Sequence, residues 1–214
     1  MGRDRPKSEE FNFMFKPKEK RERALGTKLF LKASRCLSPK CAMIRRPSKP
    51  GMHGKRKGNR SAGSEFGRQL QEKQKVQFTY GLNNRQMCRL FRGQKEVAKV
   101  QEILERRLDN VIFRLSLADS RAIARQLISH GHFLVRSRKV TIPSYKLKIG
   151  EPVSLDPNSR KLKIFEGLDL KLKKIDLPLW LKLDKEKLSG ELIAPPRDLN
   201  LPFDLNLVVE YYLR

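Results

Sequence analysis

The stretch Arg107-Leu108-Asp109-Asn110-Val111-Ile112-Phe113-Arg114, with Ser120-Arg121-Ala122-Ile123-Ala124-Arg125-Gln126-Leu127-Ile128-Ser129-His130-Gly131 after it, decides the fold. Residues 107–111 read as the continuation of a helix whose apolar positions Val97, Val100, Leu104 and Leu108 recur at spacings of three and four. Ser120 is a good N-cap for a second helix, which Gly131 ends. Two short strands follow at 133–135 and 140–142, around the basic turn Arg136-Ser137-Arg138-Lys139, and Pro143 closes the second. Residues 149–155 read as a turn into another strand.

Upstream, Ser64 opens a helix running toward Gly81, and Asn83 or Asn84 caps a short one closed near Gly93. Downstream, 179–183 and 191–193 read as strands. Residues 204–213 are ambiguous: Asp204 can cap a helix, yet Val208-Val209-Glu210-Tyr211-Tyr212 also suits a strand. The fold class is α+β: a basic, largely extended N-terminal arm, a small helical domain, and a module of helices on a small antiparallel sheet.

Charge assigns a partner. The 214 residues hold 48 Lys plus Arg against 23 Asp plus Glu, a net +25. Self-repulsion on that scale calls for a polyanion. Residues 1–60 are net +14, 61–105 net +3, 106–150 net +8 and 151–214 neutral. The arm is too polar to fold alone and should order on its partner, apart from a small cluster around Leu29, Leu31 and Leu37.

No apolar run approaches the roughly 18 residues of a membrane span. The opening Met1-Gly2-Arg3-Asp4-Arg5-Pro6 has no apolar signal region, so secretion is not expected. Cys36, Cys41 and Cys88 are too few and scattered for a disulfide framework, which points to a reduced, cytosolic-type compartment. Cys36 and Cys41, with His53 after them, fall short of a four-ligand structural zinc site, since residues 1–35 hold no Cys or His and the first knuckle is absent. No nucleophile elbow, phosphate-binding glycine loop or zinc-hydrolase motif occurs, so no catalytic residue, metal or cofactor is assigned.

Arg121 and Arg125, four residues apart, share one helix face. With Arg136, Arg138 and Lys139 they would form one cationic surface if the hairpin packs beside the helix. Forked guanidinium groups and the helix amides near Ser120 suit phosphate oxygens. Aromatic platforms are scarce, which favours recognition of folded RNA by shape over base-by-base reading.

These residues resemble the RNA-binding module named after small-subunit ribosomal protein S-four. The resemblance extends through Ser144-Tyr145 and Gly150-Glu151-Pro152-Val153-Ser154-Leu155. Pro50-Gly51-Met52-His53-Gly54, the helix Leu70-Gln71-Glu72-Lys73-Gln74-Lys75-Val76 with Tyr80-Gly81, Trp180-Leu181, Gly190 and the closing 208–212 extend it to the S-four family of bacterial or organellar type, over about residues 25–214. The resemblance implies a helical C-terminus and a structural component of the small subunit that binds small-subunit rRNA early in assembly. It also implies neighbours S-five and S-three, proximity to incoming mRNA, an influence on decoding accuracy through S-five, and a cytoplasmic or organellar ribosome. Zinc-binding members carry four cysteines, of which only Cys36 and Cys41 remain, so zinc is not carried over. The family hairpin turns on Asn-Gly. Here it turns on Arg136-Ser137, which predicts a longer or distorted loop.

The expected domains are an arm at 1–45, a helical rRNA-binding domain at 46–105 joined by a C-terminal helix at 204–214, the module at 106–170, and 171–203 completing the sheet and returning to the helical domain. The candidate RNA contacts are Arg45, Arg46, His53, Lys55 and Arg56 in the arm. Arg68, Lys73 and Lys75 follow in the helical part. The module adds Arg107, Arg114, Ser120, Arg121, Arg125, Gln126, His130, Arg138 and Lys139. The alternatives are an RNA-modifying enzyme that docks through the module, for which too little chain remains, and a non-ribosomal RNA-binding regulator.

Overall fold

The computed structural model describes residues 18–52, 64–94, 96–168, 172, 177–184, 187–197 and 201–213. The chain divides into two compact units, Met1–Gly63 and Ser64–Arg214.

In the first unit the helices are short: α1 (Lys18–Leu25), α2 (Ala33–Leu37) and α3 (Ala42–Arg45). The arm is therefore less extended between 18 and 45 than its composition implies. One buried carboxylate ties this segment together. Glu22, 1% exposed, accepts the Leu29 and Leu31 amides at 3.0 and 3.1 Å and faces the Cys36 thiol at 3.7 Å. Leu29, Cys36 and Cys41 are buried.

In the second unit, local chemistry starts and stops each helix. The Ser64 hydroxyl accepts the Gly67 amide and opens α4 (Glu65–Thr79). Asn83 and Gln86 form a reciprocal capping box for α5 (Asn84–Phe91). The helix α6 (Val97–Glu105) does not run on. Arg107 is extended (φ −65°, ψ 138°) and bridges Lys146, and a separate helix α7 (Leu108–Arg114) begins after it. The continuous helix expected from spacing is broken because the module's loop claims that backbone. Ser120 caps α8 (Arg121–Ser129), and Gly131 turns the chain out at φ 76°.

The sheet is antiparallel, in the order β2-β1-β3-β5-β4. Its strands are β1 (Phe133–Val135), β2 (Arg138–Lys139), β3 (Pro152–Leu155), β4 (Leu181–Asp184) and β5 (Ser189–Leu192). The hairpin differs from both expectations. Leu134 pairs with Lys139 and Val135 with Arg138, so the turn is only two residues long. Arg136 and Ser137 both take positive φ, 49° and 66°, as a type I′ turn requires. Pairing therefore starts at Arg138, and the second strand is Arg138–Lys139 rather than 140–142.

The C-terminal segment is a helix, α9 (Leu205–Leu213), capped by Asp204 accepting the Asn206 amide at 2.8 Å. Buried Leu205, Val208 and Val209 sit at helical spacing and pack with Val76, Met87, Phe91, Val100 and Leu104. A second core joins α7, α8 and the sheet through Leu108, Ile112, Leu115, Ile128, Phe133 and Val153. Among the described residues no helix is long and apolar enough to cross a membrane.

Candidate nucleic-acid interface

Arg121 and Arg125 do share a face of α8, but that face turns inward. Arg125 Nη1 donates to the carbonyls of Tyr80 and Gly81 at 3.1 and 2.6 Å, closing the C-terminal end of α4. A Cβ on Gly81 would stand 2.6 Å from that nitrogen, so glycine permits the contact. Arg121 Nε donates to Asn110 Oδ1 at 2.7 Å, and its guanidinium lies over the rings of Phe113 and Tyr80. Burial lowers the pKa of both arginines, and nearby carboxylates partly offset it.

Beneath them lies Glu105, fully buried. Its carboxylate accepts from Tyr80 Oη (2.5 Å), Asn110 Nδ2 (2.8 Å), Arg114 Nε (3.0 Å) and Arg114 Nη2 (3.3 Å). Burial alone would raise the Glu105 carboxyl. The Arg114 charge and the bonds from Arg114 and Tyr80 outweigh it and hold the pKa below the usual value. Burial, with Glu105 adding to it, pushes the Tyr80 phenol well up, so Tyr80 stays a neutral donor. Arg107 is bidentate on Asp109 at 3.1 and 2.8 Å. The Ser120 hydroxyl is taken by its cap. Arg107, Arg114, Ser120, Arg121 and Arg125 are thus all engaged internally.

Gln126 and His130, one turn apart on α8, are exposed. The Lys139 stem crosses directly over Gly131, where a Cβ would sit 2.4 Å from Lys139 Cε. This gathers His130 and Lys139 at one edge. Arg138 is also exposed but, as the neighbouring strand residue, points to the other face. Arg136 pairs with Glu151 at 3.1 Å. The structure therefore does not bring Arg121, Arg125, Arg136, Arg138 and Lys139 into one surface.

In the helical part Arg68 is exposed. Lys73 instead donates to Tyr211 Oη at 3.3 Å and lies 4.6 Å from that ring's centre, and Lys75 pairs with Glu72 at 2.6 Å. Arg85, Arg89 and Arg92 are exposed along α5 and its C-cap at i, i+4 and i+7. Sequence reasoning passed over them, although that spacing marks one helix face.

In the first unit a cavity of about 1230 Å³ is lined by seven cations, Arg45 and Arg46 among them, against one carboxylate, Glu19. Glu19 is held by Arg35 at 2.9 Å. Arg23 fixes one wall by donating to the carbonyls of Arg46 and Ser48. No aromatic ring is among the described lining residues. His53, Lys55 and Arg56 lie outside the described residues. Burial, with Glu22 and Cys41 adding to it, raises the Cys36 thiol pKa. Among the described residues no group of three or more His, Cys, Asp or Glu is placed to hold a metal ion.

The sequence matches the family described as Ribosomal protein S4/S9 N-terminal domain over residues 14–110, and the S4 domain over residues 106–153. It is similar to the small ribosomal subunit protein uS4 of Halothermothrix orenii, 43% identical over 196 residues, covering 88% of this chain and 93% of that protein. The uS4 of Gloeobacter violaceus is 42% identical over 199 residues (90% and 94% covered), and that of Thermus thermophilus 41% over 199 residues (88% and 93%). The chain belongs to the ribosomal protein S4 family.

Proposed function

We propose that this S4-family chain is a structural, non-enzymatic constituent of the small ribosomal subunit that holds folded small-subunit rRNA by its phosphate backbone. One observation carries the reading: the sorting of the cations. Buried Arg107 and half-buried Arg114, Arg121 and Arg125 are closed on carboxylates, carbonyls or rings. Arg68, Arg85, Arg89, Arg92, His130, Arg138 and Lys139 stay exposed, and the first unit turns a cation-lined cavity to solvent. Phosphate contacts of this kind position the protein more than they specify sequence. The dearth of aromatic platforms fits shape recognition.

Within that role we assign RNA contact to the exposed residues, to Gln126, and to Arg45 and Arg46. The finer role is early binding in assembly on a cytoplasmic or organellar ribosome. It includes contact with proteins S-five and S-three, proximity to incoming mRNA, and an influence on accuracy. Binding to small-subunit rRNA, tRNA and plain duplex across a salt series tests the core of this. A steep salt slope with strong preference for the rRNA is expected. Equal binding to all three would reduce the chain to a general polyanion binder and overturn the reading.

A further inference from the structure

The Arg121–Arg125 face links two parts of the second unit that each carry exposed cations. On one side are α4, α5 and α6, with Arg68, Arg85, Arg89 and Arg92. On the other are α7, α8 and the hairpin, with His130, Arg138 and Lys139. Among the described residues, one connected cluster carries polar contacts across the join, beside the separate pairing of Arg106 with Glu102 and the Leu147 carbonyl. Arg125 holds the carbonyls that end α4. Tyr80, from the same end, reaches Glu105 at the end of α6. Asn110 and Arg114 of α7 grip the same carboxylate, and Arg121 holds Asn110 while covering the Tyr80 ring. Such a satisfied buried network fixes geometry more firmly than apolar contact alone.

We propose that Arg121 and Arg125 are positioning residues for RNA binding: through Tyr80, Glu105 and Asn110 they lock the helical part onto the module, so that the cations of both parts meet the RNA at a fixed separation. This rests on the RNA-binding reading above. A preformed array avoids the cost of ordering two parts at the moment of binding. The proposal separates these arginines from the residues that touch phosphate, although their spacing alone makes them look like a docking pair.

Salt dependence distinguishes the two roles. A lost phosphate contact lowers the slope of log K against log salt by about one, whereas lost positioning lowers affinity and leaves the slope intact. Affinity of the full chain for small-subunit rRNA should be measured for wild type, Arg121→Gln, Tyr80→Phe and Arg138→Gln, where circular dichroism shows each folded. Tyr80 is uncharged and only 2% exposed, so its variant acts through position alone. Arg121→Gln and Tyr80→Phe should each weaken binding about threefold to tenfold at the wild-type slope, while Arg138→Gln lowers the slope. If Arg121→Gln does not fold, Tyr80→Phe decides. A slope lowered by about one in Arg121→Gln would make it a direct phosphate contact and overturn the proposal, as would wild-type affinity in Tyr80→Phe. Wild type failing to prefer the rRNA over tRNA would instead overturn the RNA reading, and this inference with it.

Discussion

Tyr80 and Glu105, 25 residues apart in sequence, meet through a 2.5 Å hydrogen bond in the interior, each at the end of its own helix. The carboxylate is fully buried and supplied with donors, so the folded state favours its ionised form more strongly than the unfolded chain does. Its folded pKa lies below its unfolded one. The stability this contributes is therefore complete above the ordinary carboxyl value of 4.5 and is lost as pH falls through the depressed value. Glu105→Gln should cost about 3 kcal/mol at pH 7 by leaving Arg114 short of a partner, and should flatten the acid limb of the stability curve. Urea denaturation from pH 3 to 7 checks this. Parallel curves for the two proteins would show that Glu105 does not supply the acid sensitivity.

The Arg136-Ser137 turn stores backbone strain that glycine would relieve. A non-glycine residue in the left-handed region costs on the order of 1 kcal/mol, partly offset by the greater freedom glycine has when unfolded. Ser137→Gly should stabilise the protein by about 0.5 kcal/mol and raise Tm by about 1–2 °C. Arg136 is best left in place, since it pairs with Glu151. An unchanged or lower Tm would mean that the turn is not strained at Ser137.

What could be read from the sequence divides by range. The caps Ser64, Asn83 and Ser120 and the stop at Gly131 were legible because each acts within four residues of its target. The break at Arg107 was not, because its cause is the backbone of Lys146. The hairpin register was misread because positive φ at Arg136 and Ser137 runs against their residue types. At the interface, spacing placed Arg121 and Arg125 on one face of a helix. It could not say that the face meets Tyr80 and Gly81, more than 40 residues earlier. Exposure, which sequence does not give, is what separates Arg68 from Lys73 and Lys75.

Gly190 is set by a neighbour rather than by its own backbone. It lies in β5 opposite Val153 and Leu183, and a Cβ there would stand 2.3 Å from Cδ1 of Leu115, which is fully buried. Leu115 has no solvent to retreat into. Gly190→Ala should destabilise the second unit by about 1–3 kcal/mol through overpacking, read as a lower thermal or urea midpoint. Leu115→Ala in the same chain should recover part of that loss relative to the sum of the two single changes. Strict additivity in this cycle would show that the two side chains do not collide.

Glu22 is the organising group of the first unit, where apolar burial is slight. Its carboxylate holds the Leu29 and Leu31 amides and meets the Cys36 thiol. Removing it leaves two amides without their acceptor, at about 1–3 kcal/mol for each that stays buried. A unit this small has little reserve against such a loss. Glu22→Ala should therefore lower hydrogen-exchange protection of the Leu29 and Leu31 amides about tenfold or more, and speed proteolysis within residues 18–45. Cys36→Ser should be milder, because a hydroxyl still donates to Glu22. Unaltered protection at Leu29 and Leu31 in Glu22→Ala would show that apolar contacts among Leu29, Cys36 and Cys41 hold the segment without the carboxylate.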